Sequence, residues 1–287
     1  MANSIKSILI TGATGSFGSA FVRYLLINTD IPRIVVYSRG EHAQAALRDA
    51  LGDTPVVRYM VGDIRDSQRL TRACRGVDAI VHAAALKRIE TGAYNPDEMV
   101  KTNVLGTMNV IEAATTNNVK WVVGLSSDKA FEPCSPYGQS KALAESLLLA
   151  ANKMQGVTKF ACTRYGNVTG SQGSVLPKWL ALAKRNEPLI LTDPNCTRFH
   201  MTMDEAVKLV WNTLSMMRGG ELAIPTWLPA YQLGDLALAF AEIYGTRTNY
   251  IGLPPFEKLH ESMDKHLCSK DARRMTILEL KEIVKNA

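Results

Sequence analysis

The stretch Thr11-Gly12-Ala13-Thr14-Gly15-Ser16-Phe17-Gly18 stands between the apolar run Ile8-Leu9-Ile10 and the helical pattern Ser19-Ala20-Phe21-Val22-Arg23-Tyr24-Leu25-Leu26. Glycines at this spacing allow a tight strand-to-helix turn, let backbone N–H groups approach a pyrophosphate, and let the helix pack close to the strand. Gly12, Thr14, Gly15, Ser16, Phe17 and Gly18 are therefore candidate phosphate contacts at the positive end of a helix. Short apolar runs rich in β-branched residues predict strands at 7–11, 33–37, 56–61, 79–83, 121–126 and 159–164, with helices at 17–28, 100–117 and 136–153. This alternation reads as an α/β fold, a doubly wound parallel sheet with helices on both faces, over residues 1–166. Beyond it the alternation lapses into helical patterns at 175–185 and 204–217 among short strands and loops. Residues 167–287 read as a smaller α/β lobe, mainly for substrate and dependent on the first, with the ligand cleft between them.

The 287 residues are 46% hydrophobic and 21% charged, a composition that excludes a disordered or collagen-like chain. No run of 18 apolar residues and no leader pattern is present, so no membrane role and a cytoplasmic location are expected. The excess of 33 Lys and Arg over 27 Asp and Glu gives +6. The basic residues are scattered rather than blocked, which points to an anionic small molecule and away from nucleic acid. Five cysteines (Cys74, Cys134, Cys162, Cys196, Cys268) without a Cys-x-x-Cys pair read as free thiols, and no metal site is expected. His260 and His266 are expected at the surface.

The second strand ends at Tyr37-Ser38-Arg39, where an NAD site would carry a carboxylate for the ribose 2′-hydroxyl. Arg39 and Ser38 suit a 2′-phosphate instead, so NADP is expected over NAD. Asp63, in Gly62-Asp63-Ile64, is placed to accept from an adenine amino group. After the fifth strand comes Ser126-Ser127-Asp128-Lys129, and then Tyr137-Gly138-Gln139-Ser140-Lys141 opens a helix. Tyr137 and Lys141, four apart, share a helix face, so the ammonium is expected to lower the phenol pKa and make Tyr137 a base.

In this order, the loop 11–18, the Asp63 turn, Ala83-Ala84-Ala85, Asn103 and Tyr137-x-x-x-Lys141 resemble the extended short-chain dehydrogenase/reductases, with their Rossmann-like fold. Narrower segments are similar to the soluble, inverting UDP-N-acetylglucosamine 4,6-dehydratases: Ala84-Ala85-Leu86-Lys87, Tyr94-Asn95-Pro96, Ser127-Asp128-Lys129-Ala130, Arg164-Tyr165-Gly166-Asn167-Val168, Gly173-Ser174-Val175, Thr197-Arg198-Phe199 and Glu257-Lys258-Leu259-His260-Glu261. The resemblance implies cofactor contacts at Ile64, Ala83, Ala84, Ala85, Lys87, Asn103, Ser126, Tyr137, Lys141 and Tyr165. It implies nucleotide-sugar contacts at Lys87, Ser127, Lys129, Tyr137, Asn167, Ser174, Val175, Arg198 and Glu257. Catalysis is expected from Asp128, Lys129, Tyr137 and Lys141. Tyr137 would take the sugar 4-hydroxyl proton as hydride leaves carbon 4 for NADP⁺. Lys129, with a lowered pKa, would take the carbon-5 proton, and a protonated Asp128 would release the 6-hydroxyl as water. Hydride would return to carbon 6, leaving a UDP-4-keto-6-deoxy-N-acetylhexosamine for a surface glycan and a cofactor regenerated in place. The sequence departs from that family at Leu253-Pro254-Pro255-Phe256-Glu257, where Arg-Pro-Gly-Glu is usual, a difference that bears on the nucleotide sugar.

Two other readings use the same loop. A UDP-sugar 4-epimerase needs Tyr137 and Lys141 but no acid–base pair at 128–129, and a non-catalytic NADP-binding regulator needs none of the four. Leu143, Leu147, Leu148 and Leu149 put apolar residues on several faces of one helix, which suggests packing between subunits of a homo-oligomer, a dimer or a hexamer.

Overall fold

The apolar run before the glycines forms β1 (Ser7–Thr11), buried along its whole length. The computed structural model describes residues 5–154 and 156–286. After β1 come α1 (Ser16–Asn28), β2 (Arg33–Ser38), α2 (Glu41–Leu51), β3 (Val57–Val61), α3 (Ser67–Ala73), β4 (Ala79–His82), α4 (Ile89–Tyr94), α5 (Pro96–Met99), α6 (Gly106–Thr116), β5 (Trp121–Leu125), α7 (Pro136–Ala150) and β6 (Lys159–Thr163). The remainder holds α8 (Val175–Lys184), β7 (Leu189–Leu191), β8 (Thr197–Phe199), α9 (Met203–Met216), β9 (Leu222–Ala223), β10 (Ala230–Gln232), α10 (Leu233–Tyr244), β11 (Thr248–Tyr250) and α11 (Ile277–Lys285).

Seven strands pair in the order β3-β2-β1-β4-β5-β6-β9, all parallel. Successive side chains of a strand point to opposite faces, so Ile8 and Ile10 join Phe21, Val22 and Leu25 of α1 and Val207, Val210 and Leu214 of α9. Leu9 points the other way, to Leu70 of α3, Val110 of α6 and Leu148 of α7. Each of these large side chains contributes about 1.5–3 kcal/mol by leaving water. The C-terminal part supplies α9 and β9 to this main body. It also builds a second core around Trp179, Leu189, Leu191, Phe240, Leu280 and Val284, where β7 pairs with β11 and β8 with β10.

The helix expected at 100–117 is present without a break, but it starts with a different winding. Residues Val100–Leu105 form a wide π-helical turn before α6 begins. Asn103 explains the widening: its amide donates to the Leu86 carbonyl (2.9 Å) and Ser140 Oγ (2.9 Å), and its Oδ1 accepts from the Leu86 N–H (2.8 Å). Those bonds tie the loop after β4 to α7 and leave local helical pairing to adjust.

The loop between β1 and α1 fits because its glycines have no side chains. Gly12 has φ +66°, and a Cβ there would lie 2.8 Å from the Ala84 backbone. A Cβ on Gly18 would lie 2.5 Å from Ala13 Cα and Gly12 O, which are backbone atoms that cannot swing aside. Gly18→Ala is accordingly expected to destabilise the protein by about 1–3 kcal/mol through overpacking, read from the urea midpoint, and an unchanged midpoint would contradict this packing.

Candidate functional site

A cavity of about 950 Å³ opens at the carboxyl ends of the strands, where the strand order reverses between β1 and β4. Its wall includes every candidate site residue named from the sequence except Asn103 and Asp128. Asn103 is a correction: it is buried in the clamp on Leu86, and Thr102 beside it reaches the wall instead. Asp128 lies behind Lys129, 1% exposed.

The residues present fit a dinucleotide. No side chain caps α1 at Gly15, so its first N–H groups are free for an anion. Ser126 Oγ, on the cavity wall, is buried with no partner among the described residues, an acceptor and donor awaiting a ligand. Arg39 is exposed on the wall at the end of β2, while Ser38 is buried with its hydroxyl accepting from Gln44 Nε2 (3.0 Å). Asp63 lies on the cavity wall with its carboxylate already engaged. Arg65 donates to it from its backbone (2.9 Å) and from its guanidinium (3.0 and 2.8 Å). Burial pushes the Asp63 carboxyl up, but these bonds and the Arg65 charge hold it below the usual value.

Ser135 caps α7 by accepting from the Gly138 N–H (3.1 Å), and Pro136 suits its first turn, so the helix begins just before Tyr137. Tyr137 and Lys141 are both buried on α7. Their electrical relation differs from the one that the spacing predicts. Burial raises the Tyr137 pKa; the Ser127 hydroxyl and the Lys129 charge oppose this, and Asp128 and Glu261 add to it. Lys141 turns its ammonium to the Leu125 carbonyl, and burial lowers it to about 8.

Ser127 leads into a single 3₁₀ turn, Asp128–Ala130, after β5. Lys129 Nζ lies 3.2 Å from Asp128 Oδ1, 3.2 Å from Asn167 Oδ1 and 3.3 Å from Glu261 Oε1. Three oxygens match the three protons of an ammonium. Burial works against that charge, but Asp128 and Glu261 outweigh it and raise the Lys129 pKa. The lowered pKa expected for Lys129 is therefore corrected: in the ligand-free protein it is a cation. The Asp128 pKa is raised by burial and by Glu261, against Lys129 and Ser127.

Arg198, on β8, donates to the Thr197 carbonyl (2.8 Å) and to Glu257 Oε1 (2.5 Å). The two expected nucleotide contacts thus neutralise each other before any ligand arrives. Ser174 heads α8 with an unpartnered buried hydroxyl. Burial, Arg88 and Lys129 lower the Lys87 pKa. His260 is half-buried rather than at the surface, with its Nδ1 2.8 Å from Thr197 Oγ1, while His266 is exposed. The sequence reading missed Glu261 as a functional group although it quoted the segment 257–261. It also missed Gln172, whose N–H reaches Ser16 Oγ (2.9 Å) across the cavity, and Trp179 and Phe256 on its wall. Among the described residues no cluster suits a metal ion, and no helix is long and apolar enough to cross a membrane.

A doubly wound sheet with this loop at its switch point and this Tyr–Lys helix beside the cavity is the architecture of the short-chain dehydrogenase/reductases that include nucleotide-sugar epimerases and dehydratases. Pen from Bacillus thuringiensis superposes over the whole of both chains with a TM-score of 0.93 at 32% identity. A dTDP-glucose 4,6-dehydratase from Streptomyces venezuelae, solved with NAD and TYD, has a TM-score of 0.85 at 25% identity over 97% of this chain and 96% of that one. In sequence, the chain is 42% identical over 269 residues to the UDP-N-acetylglucosamine 4,6-dehydratase (inverting) of Campylobacter jejuni subsp. jejuni serotype O:2, covering 91% of this chain and 79% of that protein. It is 41% identical over 266 residues to a UDP-glucose 4-epimerase of Rickettsia akari, covering 90% and 77%. A profile of the family described as polysaccharide biosynthesis protein matches residues 8–282, and the chain belongs to that family.

The buried Lys141 makes a pH prediction for the ligand-free protein. Its pKa falls from 10.5 in the unfolded chain to about 8 when folded, so the unfolded chain holds the proton more tightly and this group's contribution to stability rises as pH climbs through that window. Lys141→Met is expected to be more stable than wild type at pH 7 by roughly 1 kcal/mol, after allowing for the lost bond to the Leu125 carbonyl. The gap should narrow toward pH 10 in urea titrations; a constant gap would mean that Lys141 is not the titrating group.

Proposed function

We propose that the chain is an NADP-dependent UDP-N-acetylglucosamine 4,6-dehydratase that inverts carbon 5, a hydro-lyase whose product feeds surface-glycan synthesis. The observation that carries this reading is the Asp128–Lys129 pair after β5, with Lys129 on the cavity wall beside Tyr137 and Asp128 buried behind it. An epimerase has no use for such a pair. The name of the Campylobacter relative supports the same reaction, and the Rickettsia relative keeps a UDP-sugar 4-epimerase as the second reading.

A nicotinamide dinucleotide, when bound, supplies the hydride acceptor and donor. The glycine loop (Gly12, Thr14, Gly15, Ser16, Phe17, Gly18) would hold its pyrophosphate, with Ser38, Arg39, Asp63, Ile64, Ala83, Ala84, Ala85, Lys87, Ser126, Tyr165 and Lys141 along its length. Tyr137 takes the proton of the sugar 4-hydroxyl, and the adjacent Lys129 charge favours the phenolate that does so. Ketone formation at carbon 4 acidifies the carbon-5 proton. Asp128, protonated, gives its proton to the departing 6-hydroxyl. Lys129 receives the carbon-5 proton after one of its own has moved to a neighbouring carboxylate. Ser127, Asn167, Ser174, Val175, Arg198 and Glu257 hold the nucleotide sugar, the Arg198–Glu257 pair opening to let the guanidinium face a phosphate. Residues 1–166 act mainly on the cofactor and 167–287 mainly on the sugar nucleotide. The assembly is a cytoplasmic homo-oligomer, supported by the exposed apolar side chains of Met108 and Leu143 on the adjoining helices α6 and α7.

Incubation with UDP-N-acetylglucosamine in deuterated water, followed by NMR and mass spectrometry, is expected to give a 4-keto-6-deoxy product, lighter by one water and inverted at carbon 5. A 4-epimer of unchanged mass would establish the second reading instead. Lys129→Ala should give no product while still retaining the dinucleotide, and undiminished turnover would remove Lys129 from the chemistry.

The cofactor preference rests on Arg39 and on the absence of a carboxylate at 37–39. Arg39→Asp should weaken NADP binding at least about tenfold relative to NAD, a change of about 1.4 kcal/mol, in paired titrations. An unaltered ratio would show that Arg39 does not meet a 2′-phosphate.

A further inference from the structure

Glu261 is 2% exposed, lies outside the cavity wall, and is carried by the C-terminal segment. Its backbone is fixed on both sides: Glu261 N–H donates to Ser269 Oγ (2.9 Å), Ser269 N–H donates to the Glu261 carbonyl (2.8 Å), and His260 pairs with Thr197 of β8. That anchoring drives the carboxylate into the protein beside Lys129, at 3.3 Å. Two buried carboxylates therefore flank one lysine. A buried carboxylate keeps its charge more readily the more cations face it, so the two need not hold the same protonation state.

The surroundings distinguish them. Glu261 faces Lys129, Lys258 (3.7 Å from Oε2) and the Arg198 guanidinium of β8. Among the described residues, Asp128 has Lys129 as its one ion-pair partner, and its Oδ2 is buried without a partner. The other titratable groups facing the cluster include the Tyr137 phenol from α7 and the Tyr231 phenol from β10, with Tyr165 after β6 next to Tyr137, and the Lys87 ammonium, which acts on Lys129. Neither phenol adds a positive charge. Against its own burial, Lys129, Arg198 and Lys258 hold Glu261 below the ordinary carboxyl value, whereas burial, aided by the Glu261 charge and opposed by Lys129, pushes Asp128 above it.

We propose that Glu261 is a positioning residue that acts through Lys129: its negative charge keeps the resting proton on Asp128, and it takes from Lys129 the proton that must leave before Lys129 can serve as a base. The inference rests on the dehydratase reading above, and the proton count closes. At rest Lys129 is charged, Asp128 is protonated and Glu261 is ionised. Transfer of one proton from Lys129 to Glu261 leaves a neutral amine. During elimination the carbon-5 proton goes to that amine, the C–H electron pair becomes the new C5=C6 bond, and the 6-hydroxyl departs with its C–O pair and the Asp128 proton as water. As hydride returns to carbon 6, carbon 5 takes on the face opposite Lys129 the proton that Tyr137 received from the 4-hydroxyl; Lys129 gives its proton to Asp128 and receives the one held by Glu261, and a second transfer between Lys129 and Glu261 readies the next turnover.

Glu261→Gln removes the charge and the proton acceptor while keeping the shape. Without the negative charge Asp128 loses its proton at lower pH, so the alkaline limb of kcat for water loss should move at least about one unit toward acid, with kcat down about 10²-fold, within the range for general acid–base groups, and KM within about twofold. Glu261→Asp should restore part of kcat. An unshifted limb, or a loss confined to KM, would overturn the proposal. A second measurement needs no variant at Glu261 and no turnover: infrared difference spectra of the wild-type protein labelled with ¹³C-aspartate should show a buried, protonated aspartate carboxyl near neutral pH that disappears in Asp128→Asn. Absence of that band in folded wild-type protein would also overturn it. If wild type forms no dehydrated product but shows the band, the dehydratase reading fails and the resting protonation of the cluster stands.

Discussion

A parallel sheet whose strand order reverses must leave a crevice at the reversal, and here that crevice falls between β1 and β4. The two strand ends that border it are locked together. Thr11 Oγ1 lies 2.7 Å from His82 Nδ1 and accepts from the Ala84 N–H (3.2 Å), and His82 Nε2 lies 3.1 Å from Thr107 Oγ1 of α6. Burial drives the His82 pKa down to about 3, so the imidazole stays neutral and its bonds hold across the physiological range. With Gly12 pressed against Ala84, the floor of the cavity is fixed before any ligand enters. Everything the site does is built on that floor.

Charges at the site are held in a different way. Lys129, Asp128, Glu261 and Arg198 are taken out of water, a cost that ion pairing offsets only in part, so the core on both faces of the sheet has to carry them. Some ion pairs elsewhere, such as Lys101 with Asp97 and Glu98, lie at the surface, where water screens them, while Arg164 with Glu145 is a second buried pair, away from the cavity wall. The concentration of unfavourable burial around one lysine marks the place where chemistry rather than stability set the residue types.

What the sequence made legible follows from how local each feature is. The first strand falls at 7–11 as its run of apolar residues dictates, and β2, β3, β5 and β6 differ from their predicted spans by a single residue at an end. The glycine loop was readable because its backbone needs no partner beyond the strand and helix it joins. The π-wound start of the helix over 100–117 was not, since Asn103 answers to the Leu86 backbone. Helix spacing correctly placed Tyr137 and Lys141 on one element, yet it could not say that the Lys141 ammonium turns to Leu125. The cation that reaches Tyr137 is Lys129, which arrives from the turn after β5.

Glu261 shows the limit most clearly. Its chemistry depends on Asp128 and Lys129, which lie far earlier in the chain, and the link between them is the pairing of residue 260 with Thr197. That pairing in turn depends on β8, which β10 holds from its other side. A carboxylate in a run such as Glu257-Lys258-Leu259-His260-Glu261 looks like one member of a solvated, alternating charge pattern. Folding separates the two glutamates: Glu257 goes to Arg198 at the cavity wall, and Glu261 goes behind Lys129. One segment thus delivers one carboxylate to the cavity wall and one behind it, the second to a lysine from the first 166 residues, so the charges around Lys129 are complete only when both parts of the chain are in place.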